Sequence, residues 1–170
     1  VDFGMRWPLL TALAAAGEAD DAQIDAELAS EDTATGRERA ARAKAARPTV
    51  ESKEAAWAAA VEGSGLPNAV VDAIGQGFSR PGTPADLLRP FVERYHAMLD
   101  SVDERGSHAL VESVVYGFYP RPLVDRALHD ATQAWLDTHP DAPAALRRLV
   151  VENRDPVARA LAAQARDAGA

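Results

Sequence analysis

The chain has 170 residues, a net charge of −8, no cysteine and few aromatic residues (6%). The missing cysteines exclude disulfides, thiolate nucleophiles and zinc ribbons, and the negative charge opposes contact with a polyanion such as nucleic acid. Alanine, the strongest helix former, is the most frequent residue, and no stretch alternates apolar and polar residues over the length of a strand, so the chain reads as all-α.

Taken in chain order, the first helix is predicted over 7–16, with Leu9, Leu10 and Leu13 inward and Gly17 as the residue that ends it. A second over 20–30 carries Ile24 and Leu28. A third over 35–46 opens with a Thr35-Gly36-Arg37-Glu38 capping box and is closed by Pro48. Thr49 then caps a helix over 50–62 that turns Trp57 and Val61 inward. Residues 67–78 carry Val70, Val71, Ile74 and Phe78. The strongest pattern begins at Thr83, an N-cap before Pro84 and Asp86, and its apolar stripe runs through Leu87, Leu88, Phe91, Val92, Tyr95, Met98, Leu99 and Val102. Pro90 falls within that stripe and predicts a kink or a break.

Residues 107–119 follow, with Leu110, Val111, Val114, Val115 and Phe118 inward. Residues 122–137 carry Leu123, Val124, Leu128, Trp135 and Leu136, and 141–153 carry Leu146, Leu149 and Val150. Asp155-Pro156 opens the last helix, with Val157 and Leu161 inward. That makes about ten short helices joined by links of roughly two to six residues, which force neighbours to run antiparallel. Such a series curls into a superhelix of the HEAT or armadillo kind, here without a repeated sequence consensus. No low-complexity linker divides the chain, so residues 1–170 are read as a single domain. No apolar run approaches the ~20 residues that cross a bilayer, so no membrane partner is expected and the chain reads as soluble. It starts at Val1 without a methionine or a leader, which fits a piece of a longer protein, and its lack of cysteine fits the cytoplasm.

Catalytic signatures are missing. The four histidines are His96, His108, His129 and His139, and no two stand four apart as a helical zinc pair requires. His108 with Glu112 offers two ligands without a third, and Glu93 with His96 has the Glu-x-x-His spacing of di-iron bundles, which carry that motif twice; both pairs read as solvated or capping groups. Gly63-Ser64-Gly65 lies between helices rather than in a nucleophile elbow. Gly75-Gln76-Gly77 lacks the strand and helix start of a dinucleotide loop, and reads as close helix packing or a fraying helix end. The three tryptophans and Phe118-Tyr119 read as core.

The basic residues Arg37, Arg39, Arg42, Lys44 and Arg47 are the one charge feature that stands out. At 100° per residue they fall at about 0°, 200°, 140°, 340° and 280°, all round the helix. Most are therefore expected to be solvated or paired with nearby acids. One or two, among Arg37, Arg39 and Arg42, are left to face a cavity, a neighbouring domain or a peptide carboxylate.

Beyond these patterns, the chain's wording resembles the C-terminal helical domain of the bacterial aminopeptidase N family, which are zinc metallopeptidases. The likeness is densest in RWPLLTALAAAG (6–17), TATGRERAARAKAARP (33–48) and the Lys53…Trp57 spacing of SKEAAW. It continues through LPNAVVDAI (66–74), Tyr119-Pro120, WLDTHPDAPAALRRLVVENRD (135–155) and PVARAL (156–161). That family holds its zinc with a His-Glu-x-x-His helix and a later glutamate, and grips the substrate amine with a Gly-x-Met-Glu-Asn strand. Neither motif occurs here, and Met5 and Met98 lie in other contexts. The resemblance implies that the catalytic residues and the zinc belong to an upstream domain, with none at these positions. It further implies a helical bowl over that domain which admits peptides and excludes folded proteins. The competing reading is an independent α-solenoid that binds a protein on its concave face.

Overall fold

The computed structural model describes residues 3–168, and every regular element among them is helical. The elements are α1 (Phe3–Ala15), α2 (Asp21–Ser30), α3 (Ala34–Ala46), α4 (Val50–Trp57), α5 (Asn68–Phe78), α6 (Ala85–Leu88), α7 (Phe91–Leu99), α8 (His108–Gly117), α9 (Arg126–Thr138) and α10 (Ala144–Ala168). A π-helical turn, Ala58–Glu62, extends α4, and a 3-10 turn, Val102–Arg105, follows α7. Helices α3, α5, α8 and α10 form a row in which each packs on the next. Helices α1, α2 and α4 lie against α3, while α9 packs on α7 and α10.

Local chemistry sets most boundaries. Gly17 adopts φ +80°, and Glu18 and Gly17 donate their N–H groups to the carbonyls of Leu13 and Ala14, closing α1 as a Schellman motif. Asp20 and Gln23 form a reciprocal capping box at the start of α2. Thr49 caps α4 through the N–H of Ser52, and Ser107 caps α8 through that of Leu110.

Several sequence-based boundaries are corrected. The cap of α3 is Thr33, not Thr35: its hydroxyl accepts the Gly36 N–H at 2.9 Å from an extended backbone. Gly36 is required there, because a Cβ would lie 2.3 Å from the Glu31 carbonyl oxygen. Pro84, not Thr83, occupies the cap position of α6, and Pro90 breaks the long stripe outright into α6 and α7. Helix α9 starts at Arg126 because the Asp125 carboxylate takes the Leu128 N–H at 2.9 Å; Leu123 stays buried in the preceding turn.

Pro156, by contrast, does not open a helix, because α10 runs continuously through it. Asn153 and Val157, one turn apart on either side of the proline, are both buried. Asn153 Nδ2 donates to the Val115 carbonyl at 2.8 Å and the Tyr95 hydroxyl at 3.2 Å. Tertiary anchoring thus overrides the local cost of an interior proline. On α1 the inward stripe is Trp7, Thr11 and Ala14, while Leu9 and Leu13 are 51% and 40% exposed, against expectation.

The larger core centres on Trp57, Phe78, Phe91 and Phe118, all buried, with ring centroids 5.0–6.2 Å apart. Arg94 covers this cluster, its guanidinium 5.0 Å from the Trp57 ring and 4.8 Å from that of Phe91, while Glu54 and Glu62 pair with it from the solvent side. A second, smaller core gathers Trp7, Ala14, Ala19, Ile24, Ala40 and Ala43. All three tryptophans are core residues, as their spacing predicts.

Two backbone features join the helices. Gly75 and Gly117 let α5 and α8 touch, since a Cβ on Gly75 would lie 2.8 Å from the Gly117 Cα; a Cβ on Gly77 would lie 2.2 Å from the Arg42 carbonyl oxygen. The Gly75-Gln76-Gly77 sequence therefore serves close helix packing. Lys53 of α4 is fully buried, and its ammonium donates to the carbonyls of Ala45 (2.6 Å), Phe78 (3.2 Å) and Gly77 (3.4 Å). These belong to the last turns of α3 and α5, where unpaired carbonyls and the negative end of the helix dipole favour a cation.

In an exposed helix Gly→Ala is worth up to about 1 kcal/mol of added stability. Gly75→Ala should reverse that sign and cost about 1–3 kcal/mol, the range for overpacking. Chemical denaturation reads the change, and a variant at least as stable as the parent would show that α5 and α8 can separate cheaply.

Burial lowers the Lys53 amine from its ordinary 10.5 to about 8. Between those values the unfolded chain holds a proton that the folded chain has released, so this group's contribution to stability grows as pH rises from 8 towards 10.5. Burial raises the Tyr119 phenol from 10.0 to about 12 and pushes that of Tyr95 up as well, and these oppose the trend above pH 10. The stability gap between the parent and Lys53→Met should therefore shift in favour of the parent between pH 8 and 10, by at most about 1.4 kcal/mol per pH unit. A pH-independent gap in urea titrations would show that the amine keeps its ordinary affinity for the proton.

Candidate functional site

The basic residues of α3 and of its C-terminal cap divide into two groups once the helix is packed. Arg37 pairs with Asp32 at 2.6 Å, Lys44 with Asp25 at 2.7 Å and Arg47 with Asp21 at 2.9 Å, which ties α3 to α2 and to the link between them. Arg37 and Asp32 are 60% and 65% exposed, so their pair contributes about 0–1 kcal/mol. Arg39 reaches Glu31 at 3.7 Å, and the other oxygen of Glu31 accepts the Trp7 indole N–H at 2.9 Å.

Arg42 differs. Its Nε is buried and without a hydrogen-bond partner. No described carboxylate lies within ion-pair distance of it. With Arg39 of α3, Arg80 from the turn after α5, and Trp7, Pro8 and Thr11 of α1, it lines a concavity of about 390 Å³. Of the three arginines singled out by sequence, the structure brings Arg39 and Arg42 together and leaves Arg37 outside. Arg80 was missed, because helical periodicity cannot place a turn residue beside a helix so far away in the chain. The packing of α5 on α3 at Gly77 does so.

The histidines stay apart. His96 on α7 bonds the Val92 carbonyl through Nδ1 at 2.7 Å and faces the Thr132 hydroxyl through Nε2 at 3.0 Å; burial lowers its proton affinity. Donation from Nδ1–H to a carbonyl leaves Nε2 as an acceptor, so the neutral ring fits this setting. His139 stacks on Trp135 with centroids 4.6 Å apart and approaches Asp100 at 3.4 Å. His129 pairs with Asp130 at 3.0 Å. Among the described residues, no three His, Asp or Glu side chains are grouped to hold a metal ion. Neither the His108 and Glu112 pair nor the Glu93 and His96 pair gains a third ligand. No described helix is long and apolar enough to cross a membrane.

The chain matches the family model of the ERAP1-like C-terminal domain over residues 1–159. It is also 42% identical over 170 residues to aminopeptidase N of Streptomyces lividans, a match that covers 100% of this chain and 20% of that relative. The chain thus spans about a fifth of the curated relative's length, and the resemblance read from its wording is borne out. On these grounds the chain belongs to the ERAP1-like C-terminal domain family.

Proposed function

We propose that this chain is the non-catalytic C-terminal domain of a longer zinc aminopeptidase, which removes N-terminal residues from peptides, and that it covers the active site and controls access to it. The observation that carries this reading is the identity running through the whole chain to one-fifth of an aminopeptidase N. The absence of both signature motifs from the sequence agrees with it. The residues of this chain do not fit a zinc site, since the described ones offer no three-ligand group. Zinc, the general base and the amine-binding strand fall to an upstream catalytic domain, which is this domain's partner along with the peptide substrate.

The row α3, α5, α8, α10, flanked by the remaining helices, supports a HEAT-like superhelical stack. A stack of this kind forms a concave wall. Such a wall acts by shape: an extended peptide enters, a folded protein does not, and the enclosed site loses bulk water. Arg37, exposed beside Asp32, is open to a neighbouring domain, whereas Arg39 and Arg42 turn into their own concavity. A cytoplasmic setting fits the cysteine-free composition.

The purified chain should not hydrolyse leucyl-anilide with added zinc, whereas the full-length protein should, in a chelator-sensitive way. On peptides of increasing length, a full-length protein lacking this domain should lose its length preference. Turnover by the chain alone would overturn the non-catalytic assignment; an unchanged length profile in a soluble truncated enzyme would overturn the gating role.

A further inference from the structure

We propose that the concavity between α1, α3 and the turn after α5 binds a small dianion, a phosphate or a dicarboxylate, through Arg39, Arg42 and Arg80. The proposal is independent of the gating role. Its starting point is the Arg42 Nε, a buried donor with no acceptor. An orphaned donor of this kind is costly and marks Arg42 as a guanidinium that the protein's own groups do not satisfy; an anion in the cavity would be met by the other N–H groups of the arginines that line it. Arg121 also buries its Nε without a partner, but its Nη2 is held by the Tyr116 carbonyl and Asn153, so it has a structural task that Arg42 lacks.

Charge points the same way. Glu31 offsets one of the three guanidinium charges through Arg39, and two are left without a described carboxylate at ion-pair distance. This occurs in a chain whose net charge is −8, where unpaired cations have acids in plenty to choose from. Two residual positive charges match a doubly charged ligand, and guanidinium forks suit the paired oxygens of phosphate and carboxylate. Thr11 adds a hydroxyl to the lining, and Trp7 and Pro8 supply apolar wall. A volume of about 390 Å³ admits a small ion or metabolite. The position of Arg42 is fixed by its helix: α3 is clamped at Gly77, and Trp7 opposite is held by Glu31.

The test is isothermal titration of the chain with inorganic phosphate and with malonate, at constant ionic strength set by sodium chloride. Saturable one-to-one binding of either is expected, the tighter probe identifying the anion group. Arg80→Gln should weaken binding at least about tenfold with the thermal midpoint unchanged, since Arg80 lies in a turn. Arg42→Gln should abolish it, and circular dichroism checks that this variant is folded. No saturable heat above the chloride control, or parental affinity in Arg80→Gln, would overturn the proposal.

Discussion

A single ammonium group holds the ends of two helices that would otherwise carry bare carbonyls. Lys53 lies on α4 but satisfies acceptors in the last turns of α3 and α5. A hydrophobic side chain could fill its volume but would leave the Ala45 and Phe78 carbonyls without this donor, and a carboxylate would meet like partial charge. The lysine stem passes through the core, and only the tip is polar, so one residue meets the demands of packing and of helix termination together. Because no described carboxylate pairs with it, the charge is spread over backbone dipoles rather than neutralised by a pair.

That arrangement is possible only because the backbones come close. Gly77 brings α5 onto α3, so that the carbonyls of Ala45 and Gly77 converge on one point, and Gly75 then brings α8 onto the opposite side of α5. Ser79 fastens the same corner, its hydroxyl lying 3.0 Å from the carbonyls of both Gly75 and Gly117. With the spacing set by backbone contact, the rings of Trp57, Phe78, Phe91 and Phe118 fill the space between α4, α5, α7 and the end of α8. The same clamp that orders this core turns Arg42 and Arg80 towards one concavity. Core and candidate site thus share one cause.

Much of this was legible from periodicity. The inward faces of α5, α7 and α8 follow from apolar residues three and four apart, and Thr49, Ser107 and Asp20 announce helix starts by their own chemistry. Errors arose where two signals competed. Two threonines stand near the start of α3, and Gly36 favours Thr33, whose hydroxyl takes its N–H at a place where the Glu31 carbonyl leaves no room for a Cβ. Asp155-Pro156 is a sound local start, overruled by Asn153 reaching across to α7 and α8. On α1 Leu10 packs against the smaller core as its spacing predicts, but Leu9 and Leu13 are exposed, and Trp7, Thr11 and Ala14 form the buried stripe. Lys53 reads as solvated by type, yet it stands one turn before the inward Trp57 and so shares its face. That register was the available clue. The arginine concavity had none, since it depends on where α5 lands.

The burial of Lys53 also makes the chain's amine chemistry unusually simple. Lys44 and Lys53 are its two lysines, and only Lys44 presents its side-chain amine to solvent, 39% exposed beside Asp25. An acylating or alkylating reagent applied to the folded chain therefore meets one lysine, and the second becomes available when the ends of α3 and α5 come apart. The ratio of modification at the two positions is a built-in gauge of how often that corner opens. It needs no added probe, and it reads a local event that spectroscopy of the whole helix content would average away.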